Sequence, residues 1–375
     1  MTTFLEPYTF KNGATLKNRI MMAPMTNFAS KDNGEVSPEE LMYYKERSGG
    51  AGAVITACAN VTEDGKGFHG EIGVERDELI DGLATLAKTI QGKGAKAILQ
   101  IYHGGRMAPP ELVPDNQTVS ASAVAPVRDG AATPRALTSQ EVEDIIAAFG
   151  EATRRAIDAG FDGVEIHGAN TYLLQQFFSP HSNRRDDKWG GTLEKRMAFP
   201  MAVLKEVLKT ADEKADPSFI VGYRISPEEV ENPGITMEDT LALVDKLVNE
   251  ELDYLHVSVM DFHAGSMRDK EDKASRVQII QDRVGDIIPV VGVGSLHTPE
   301  DVEKAMEGGV PLISLGRELI MEPQWVEKAA NGEAKNIRTD LSVNDREELV
   351  VPEQLWQAII NTPGWFPVRE HAEKK

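Results

Sequence analysis

Residues 160–187 read GFDGVEIHGANTYLLQQFFSPHSNRRDD. Gly160 ends the helix before it, and Phe161, Val164, Glu165 and Ile166 then read as a short buried strand. His167, Asn170 and Tyr172 crowd the end of that strand, where polar side chains contribute nothing to packing. In a (β/α)8 barrel the chemistry sits at the C-terminal ends of the strands. The stretch therefore predicts a barrel strand and a cluster of active-site residues together.

The same pairing of strand and polar exit recurs on both sides. Strands are expected at Arg19–Thr26 (RIMMAPMT), Ala53–Ala57, Lys96–Ile101, Phe219–Ser226 (FIVGYRIS), Tyr254–Val259, Ile288–Gly292 and Leu312–Leu315. Helix starts fall between them. Ser37-Pro38-Glu39-Glu40 and Thr138-x-x-Glu141 read as capping boxes, and Thr236 and Thr298-Pro299-Glu300 as further starts. Eight strand–helix units give an α/β chain: one (β/α)8 barrel over residues 1–330. Asn12-Gly13, inside Tyr8–Asn18, marks a hairpin that plugs the barrel's bottom. The stretch from Gly104 to Ala136 lacks periodicity and is expected as a lobe over the mouth; Met260–Arg276 reads as a candidate lid. Residues 331–375 form a C-terminal extension with Val350, Leu355, Trp356, Ile359 and Ile360 at helical spacing. It is expected to pack on the barrel or, through Trp365-Phe366, on a partner subunit in a homo-oligomer.

Composition narrows the function. The 375 residues carry a net charge of −20, which repels nucleic acid and anionic membranes. A single cysteine, Cys58, excludes an intrachain disulfide and a cysteine-based cluster. The start, MTTFLEPYTF, lacks the basic and apolar regions of a signal peptide, and no run reaches the roughly 18 apolar residues of a membrane span. The expectation is a cytoplasmic protein acting on a small molecule.

Glycine turns follow the last two strands, at Gly294-Ser295 and Gly316-Arg317. Each opens a helix, and together they describe a barrel phosphate site with Arg317 supplying charge. Arg224 sits inside an apolar strand and needs a polar or anionic partner, either a ligand or a barrel ion pair. Gln100 can donate and accept at once. With the Ala23-Pro24-Met25-Thr26 edge, these groups fit a flat heterocycle bearing a phosphate, which FMN satisfies. No Gly-x-Gly-x-x-Gly follows a strand and no Gly-x-x-x-x-Gly-Lys occurs, so dinucleotide-fold and P-loop readings fail. His167 and Asn170 are spaced to offer two donors to one developing oxyanion. Tyr172, with a reference pKa of about 10, is protonated at neutral pH and can give up that proton. No metal is expected: His181, the next histidine after His167, belongs to a different segment.

Residues 167–174 (HGANTYLL), 177–187 (FFSPHSNRRDD) and 189–196 (WGGTLEKR) together resemble the old yellow enzyme family, over about residues 4–328. That resemblance implies an FMN enzyme on a (β/α)8 barrel that takes hydride from NADH or NADPH and reduces the C=C bond of α,β-unsaturated carbonyl compounds. It implies flavin contacts for Ala23, Pro24, Met25, Thr26, Cys58, Gln100, His167 and Arg224, with Gly294, Ser295, Gly316 and Arg317 on the phosphate. It assigns His167 and Asn170 to the substrate oxygen and Tyr172 to proton donation, with Phe28 as a further substrate contact. The chain departs from the family pattern at Phe28, where one branch has Tyr, and at Tyr102, where a smaller residue is usual. The lone cysteine excludes the cluster-bearing dienoyl-CoA reductase and trimethylamine dehydrogenase subgroup. Two readings of other classes stay open here: a barrel lyase or isomerase acting on a phosphorylated substrate, and a flavin-binding barrel protein of other activity.

Overall fold

A computed structural model describes residues 3–369, so Met1, Thr2 and residues 370–375 of the C-terminal extension lie outside it. Eight parallel strands close into a barrel: β1 (Ile20–Met22), β2 (Ala53–Ile55), β3 (Lys96–Tyr102), β4 (Gly163–Gly168), β5 (Ile220–Ile225), β6 (Tyr254–Val257), β7 (Val290–Val293) and β8 (Leu312–Leu315). Each pairs with the next, β8 pairs with β1, and the ring is complete. Register sets the site: Glu165 stands opposite Gln100, His167 opposite Arg224, and Arg224 opposite His256. Side chains alternate along a strand, so Gln100 and Tyr102, Glu165 and His167, and Tyr254 and His256 each share a strand face.

The floor is the expected hairpin. Tyr8–Thr9 pairs antiparallel with Thr15–Leu16. Asn12 holds the turn by accepting from Ala14 N at 2.9 Å and staples it to the barrel by donating to the Phe219 carbonyl at 3.1 Å. Phe10, Ala14 and Leu16 pack with Met21, Ile55, Ile98, Ile220, Tyr254 and Leu312 into a dry cluster. Burial on this scale is worth about 1.5–3 kcal/mol per large apolar side chain.

Differences from the sequence reading have local causes. The first strand covers Ile20–Met22 rather than 19–26, because Pro24 has no N–H to offer a ladder. Thr138 and Glu141 form the full capping box of the long helix Ser139–Asp158. Ser37 caps its helix through Glu40 N at 3.1 Å, but the Glu40 side chain does not close the box. It turns inward instead, taking hydrogen bonds from Asn27 at 2.9 Å and Ser30 at 2.5 Å. The segment 104–136 holds short 3-10 turns and a parallel pair, Val119–Ser120 with Arg135–Ala136. Arg276 opens a helix, Arg276–Val284, so the lid candidate ends one residue earlier.

The described part of the C-terminal extension, residues 331–369, packs against the barrel core. Leu349, Val351, Leu355, Trp356, Ile359 and Phe366 join the main core. Arg47, fully buried, clamps it by donating to the carbonyls of Leu349 at 2.7 Å and Ile320 at 3.3 Å. The helix here is Glu353–Asn361; Pro352 stands just before it, and Val350 lies outside with a φ of 49°. Among the described residues no helix is long and apolar enough to cross a membrane.

Candidate active site

A cavity of about 960 Å³ opens at the C-terminal ends of the strands. The segment Ala23–Thr26, Asn170, Arg224, Gly294-Ser295 and Gly316-Arg317 all line it. Its outer wall comes from Glu228–Glu231 after β5 and from Met260–Lys273, the lid candidate. That loop is latched by Ser266 Oγ donating to Glu228 at 2.9 Å and by Arg268 donating to the Glu231 carbonyl at 2.7 Å. Gln100, Cys58, His167, Tyr172 and Phe28 do not line the cavity.

Below its floor lies a buried polar layer. Glu165, fully buried, accepts from Gln100 Nε2 at 2.7 Å, from the Tyr254 hydroxyl at 2.9 Å and from His256 Nδ1 at 2.9 Å. An ionised carboxylate only accepts, so it turns the amide nitrogen of Gln100 toward itself and leaves the amide oxygen free. Arg224 is only 7% exposed, and its Nε is buried without a hydrogen-bond partner among the described residues. Burial depresses its pKa and Glu165 partly restores it, yet no ion pair joins the two. A buried guanidinium facing a cavity with no protein partner is costly unless a ligand supplies acceptors. The carbonyl-rich edge of a flavin does so, and Arg224 fits FMN on that ground.

At the far end, Gly294 has a φ of 126°, and a Cβ there would meet Phe262 N at 2.7 Å. Only glycine makes this turn. Arg317 Nη2 donates to Ser295 Oγ at 2.8 Å, and Nη1 donates to the Trp365 carbonyl at 3.1 Å. Trp365 thereby comes to line the cavity. His297 joins the same wall, paired through Nδ1 with Glu318 Oε2 at 2.9 Å, which raises its pKa. Arg317→Ala should weaken FMN retention by about 1.5–3 kcal/mol, the value of a charge-assisted hydrogen bond, while sparing turnover at saturating FMN. Equilibrium dialysis of FMN against the variant checks this; unchanged affinity moves the phosphate elsewhere.

At the end of β4, Ala169 N donates to His167 Nδ1 at 3.3 Å, which leaves the proton on Nε2. Burial, then the charge of Arg224, pushes the His167 pKa down to about 3. The imidazole is thus a neutral donor. Tyr172 stands edge-on to it, with ring centroids 5.0 Å apart. Burial holds the Tyr172 phenol well above its usual pKa, and its hydroxyl has no hydrogen-bond partner among the described residues. Asn170 adopts a φ of 55°; its Oδ1 accepts from Ser258 at 2.9 Å and Ser226 at 3.4 Å, so its amino group is left to donate. Phe28, with a φ of 53°, stacks edge-on against Phe68 at 5.6 Å. Burial raises the Cys58 thiol, leaving it neutral.

Several participants were not foreseen: Glu165 and His256 beneath Arg224, Glu71 behind Tyr102, the Glu228–Arg276 wall, and His297. Glu165 had a signal, since a lone acid in GVEIHG needs a partner for the same reason Arg224 does. The others lie in loops or pair only across strands.

The sequence model of the NADH:flavin oxidoreductase / NADH oxidase family matches residues 3–336. The chain is 51% identical over 365 residues to a probable NADH-dependent flavin oxidoreductase, YqiG, of Bacillus subtilis, covering 97% of this chain and 98% of that protein. It is 46% identical over 360 residues to the NADH:acrylate oxidoreductase of Vibrio harveyi, covering 95% of this chain but only 36% of that protein. Among solved structures, an old yellow enzyme homologue from Zymomonas mobilis superposes with a TM-score of 0.75 at 25% identity, covering 88% of this chain and 93% of that one.

Proposed function

The chain belongs to the NADH:flavin oxidoreductase / NADH oxidase family, as an FMN-binding, NAD(P)H-dependent enzyme of old yellow enzyme type, and from that premise we propose that it reduces the C=C bond of small α,β-unsaturated carbonyl compounds. The observation that carries the reading is the pairing at the end of β4: a neutral imidazole with its proton on Nε2, edge-on to a protonated, unbonded phenol. Proton donor and oxyanion donor are the two things alkene reduction asks of a protein. The chemistry that FMN supplies when bound is hydride transfer, from the nicotinamide and to the electron-poor carbon.

In this reading Ala23, Pro24, Met25, Thr26, Cys58, Gln100, His167 and Arg224 hold the flavin ring, with the free amide oxygen of Gln100 suited to an N–H donor. Gly294, Ser295, Gly316 and Arg317 hold the phosphate. His167 Nε2–H and the Asn170 amino group donate to the substrate's carbonyl oxygen as charge gathers there. Tyr172 gives its proton to the α-carbon. Phe28 walls the substrate side. A neutral His167 suits the task, because a preplaced neutral donor stabilises an enolate without needing to titrate.

A second reading has one observation in its favour. The chain spans about a third of the acrylate oxidoreductase it resembles, so in that protein alkene reduction could belong to the remainder and NADH oxidation to the shared part. One experiment separates the two. The purified protein is expected to be yellow with releasable FMN, and to consume NADH and 2-cyclohexenone, or NADH and acrylate, in equal amounts without oxygen. NADH oxidation with an artificial acceptor but no alkene loss favours the second reading. A colourless protein that takes up no FMN sinks both.

A further inference from the structure

Tyr102 and Glu71 have no place in the chemistry so far, yet both are fully buried beside it. The Tyr102 hydroxyl donates to Glu71 Oε2 at 2.6 Å. The same oxygen accepts from Gly67 N at 2.8 Å and Phe68 N at 3.0 Å. Glu71 Oε1 is buried with no hydrogen-bond partner among the described residues. The three donors favour the charged carboxylate, and burial opposes them. Burial is the chief cause that lifts the Glu71 pKa to about 8, and the titratable groups facing it are Tyr102, Lys66, Cys58 and Tyr172.

The acid holds two walls. On one side the Tyr102 ring lies edge-on to Tyr172 at 4.8 Å and tilted against His167 at 6.0 Å. On the other, Phe68 packs on Phe28, and the Gly70 carbonyl accepts from Ser30 N at 3.0 Å. The loop closes over Tyr102 only because residue 67 has no side chain: a Cβ there would stand 2.2 Å from the Tyr102 hydroxyl.

We propose that Glu71 is a positioning residue for the alkene-reducing step, holding Tyr102 under Tyr172 and His167 while it holds Phe68 against Phe28. This rests on the reading of Tyr172 as proton donor. Either protonation state of the carboxyl can accept all three bonds, so the positioning does not depend on its charge.

The test uses the FMN-loaded enzyme and three variants. Glu71→Gln keeps a carbonyl oxygen for all three donors and replaces the bare Oε1 with a neutral amide nitrogen. Glu71→Ala removes every bond, and Tyr102→Phe removes one. With Glu71→Ala, bleaching of the flavin by NADH should stay within about twofold of wild type while alkene reduction slows by about tenfold or more, the scale of a misplaced catalytic group. Tyr102→Phe should show part of that loss. Glu71→Gln should stay within about twofold at neutral pH. A folded Glu71→Ala with an unchanged alkene step, or a Glu71→Gln that loses as much of it as Glu71→Ala, overturns the proposal. Should Glu71→Ala fail to fold, Tyr102→Phe and Glu71→Gln decide: an unchanged alkene step in Tyr102→Phe, or a large loss in Glu71→Gln, overturns it. A wild type that holds no FMN or reduces no alkene is a failure of the proposed function; a wild type that does both, with variants that follow it, is a failure of this inference.

Discussion

Tyr172→Phe is expected to leave the flavin bound and bleachable by NADH, and to slow alkene reduction by about 10²–10⁴-fold, the usual worth of a positioned general acid. The two halves of the cycle ask different things of the protein. Taking hydride from a nicotinamide needs no proton at a substrate carbon. Completing alkene reduction does, and Tyr172, the proposed donor, has a phenol kept protonated by burial and no competing hydrogen-bond partner among the described residues. Phenylalanine keeps the edge-on packing with Tyr102 and His167, so the loss is chemical rather than structural. Stopped-flow measurement of each half separately checks this. If both halves slow equally, or neither does, Tyr172 is not the donor.

His167→Ala should have the second-largest effect: alkene reduction is expected to fall by about 10²–10³-fold, the cost of deleting one oxyanion donor. Binding of phenolates, which mimic an enolate, weakens with it. The residue also packs against two tyrosine rings, so part of the loss comes from the space left behind. His167→Gln, which can restore an N–H donor, should recover part of the rate, and a variant that recovers nothing would point to packing alone. The pH profile supplies a second check. With a pKa near 3, His167 stays neutral throughout the neutral range, so it contributes no inflection there. A wild-type inflection near pH 6.5 that disappears in His167→Ala would contradict the neutral-donor role.

The barrel could be read from sequence because each strand is short, apolar and closed by a glycine or polar exit. Leu312–Leu315 matches its expected span, whereas β1 is cut short by Pro24. Glu40 shows the limit of local reading: spacing suggested a capping box, but its side chain turns inward to accept from a buried pair, Asn27 and Ser30. The cavity-lining positions were found because glycine turns and a lone arginine are conspicuous in a strand–helix repeat. Gln100 was recognised as a polar exit, but which end of its amide is free depends on Glu165, a neighbour visible only across the sheet. Glu71 gave no signal at all. It sits in a glycine-rich loop without periodicity, and its partner Tyr102 comes from the next strand of the barrel.

The guanidinium of Arg317 is shared between two masters. One nitrogen reaches Ser295 in the proposed phosphate cradle, and another is anchored by the carbonyl of Trp365, near the end of the described chain. By thermodynamic linkage, whatever favours one contact through the common geometry of that side chain favours the other. If Ser295 and Arg317 hold the phosphate as proposed, seating of the segment around Trp365 and retention of FMN are coupled equilibria: FMN should shield that segment from proteolysis, and Trp365→Gly should hasten cofactor loss.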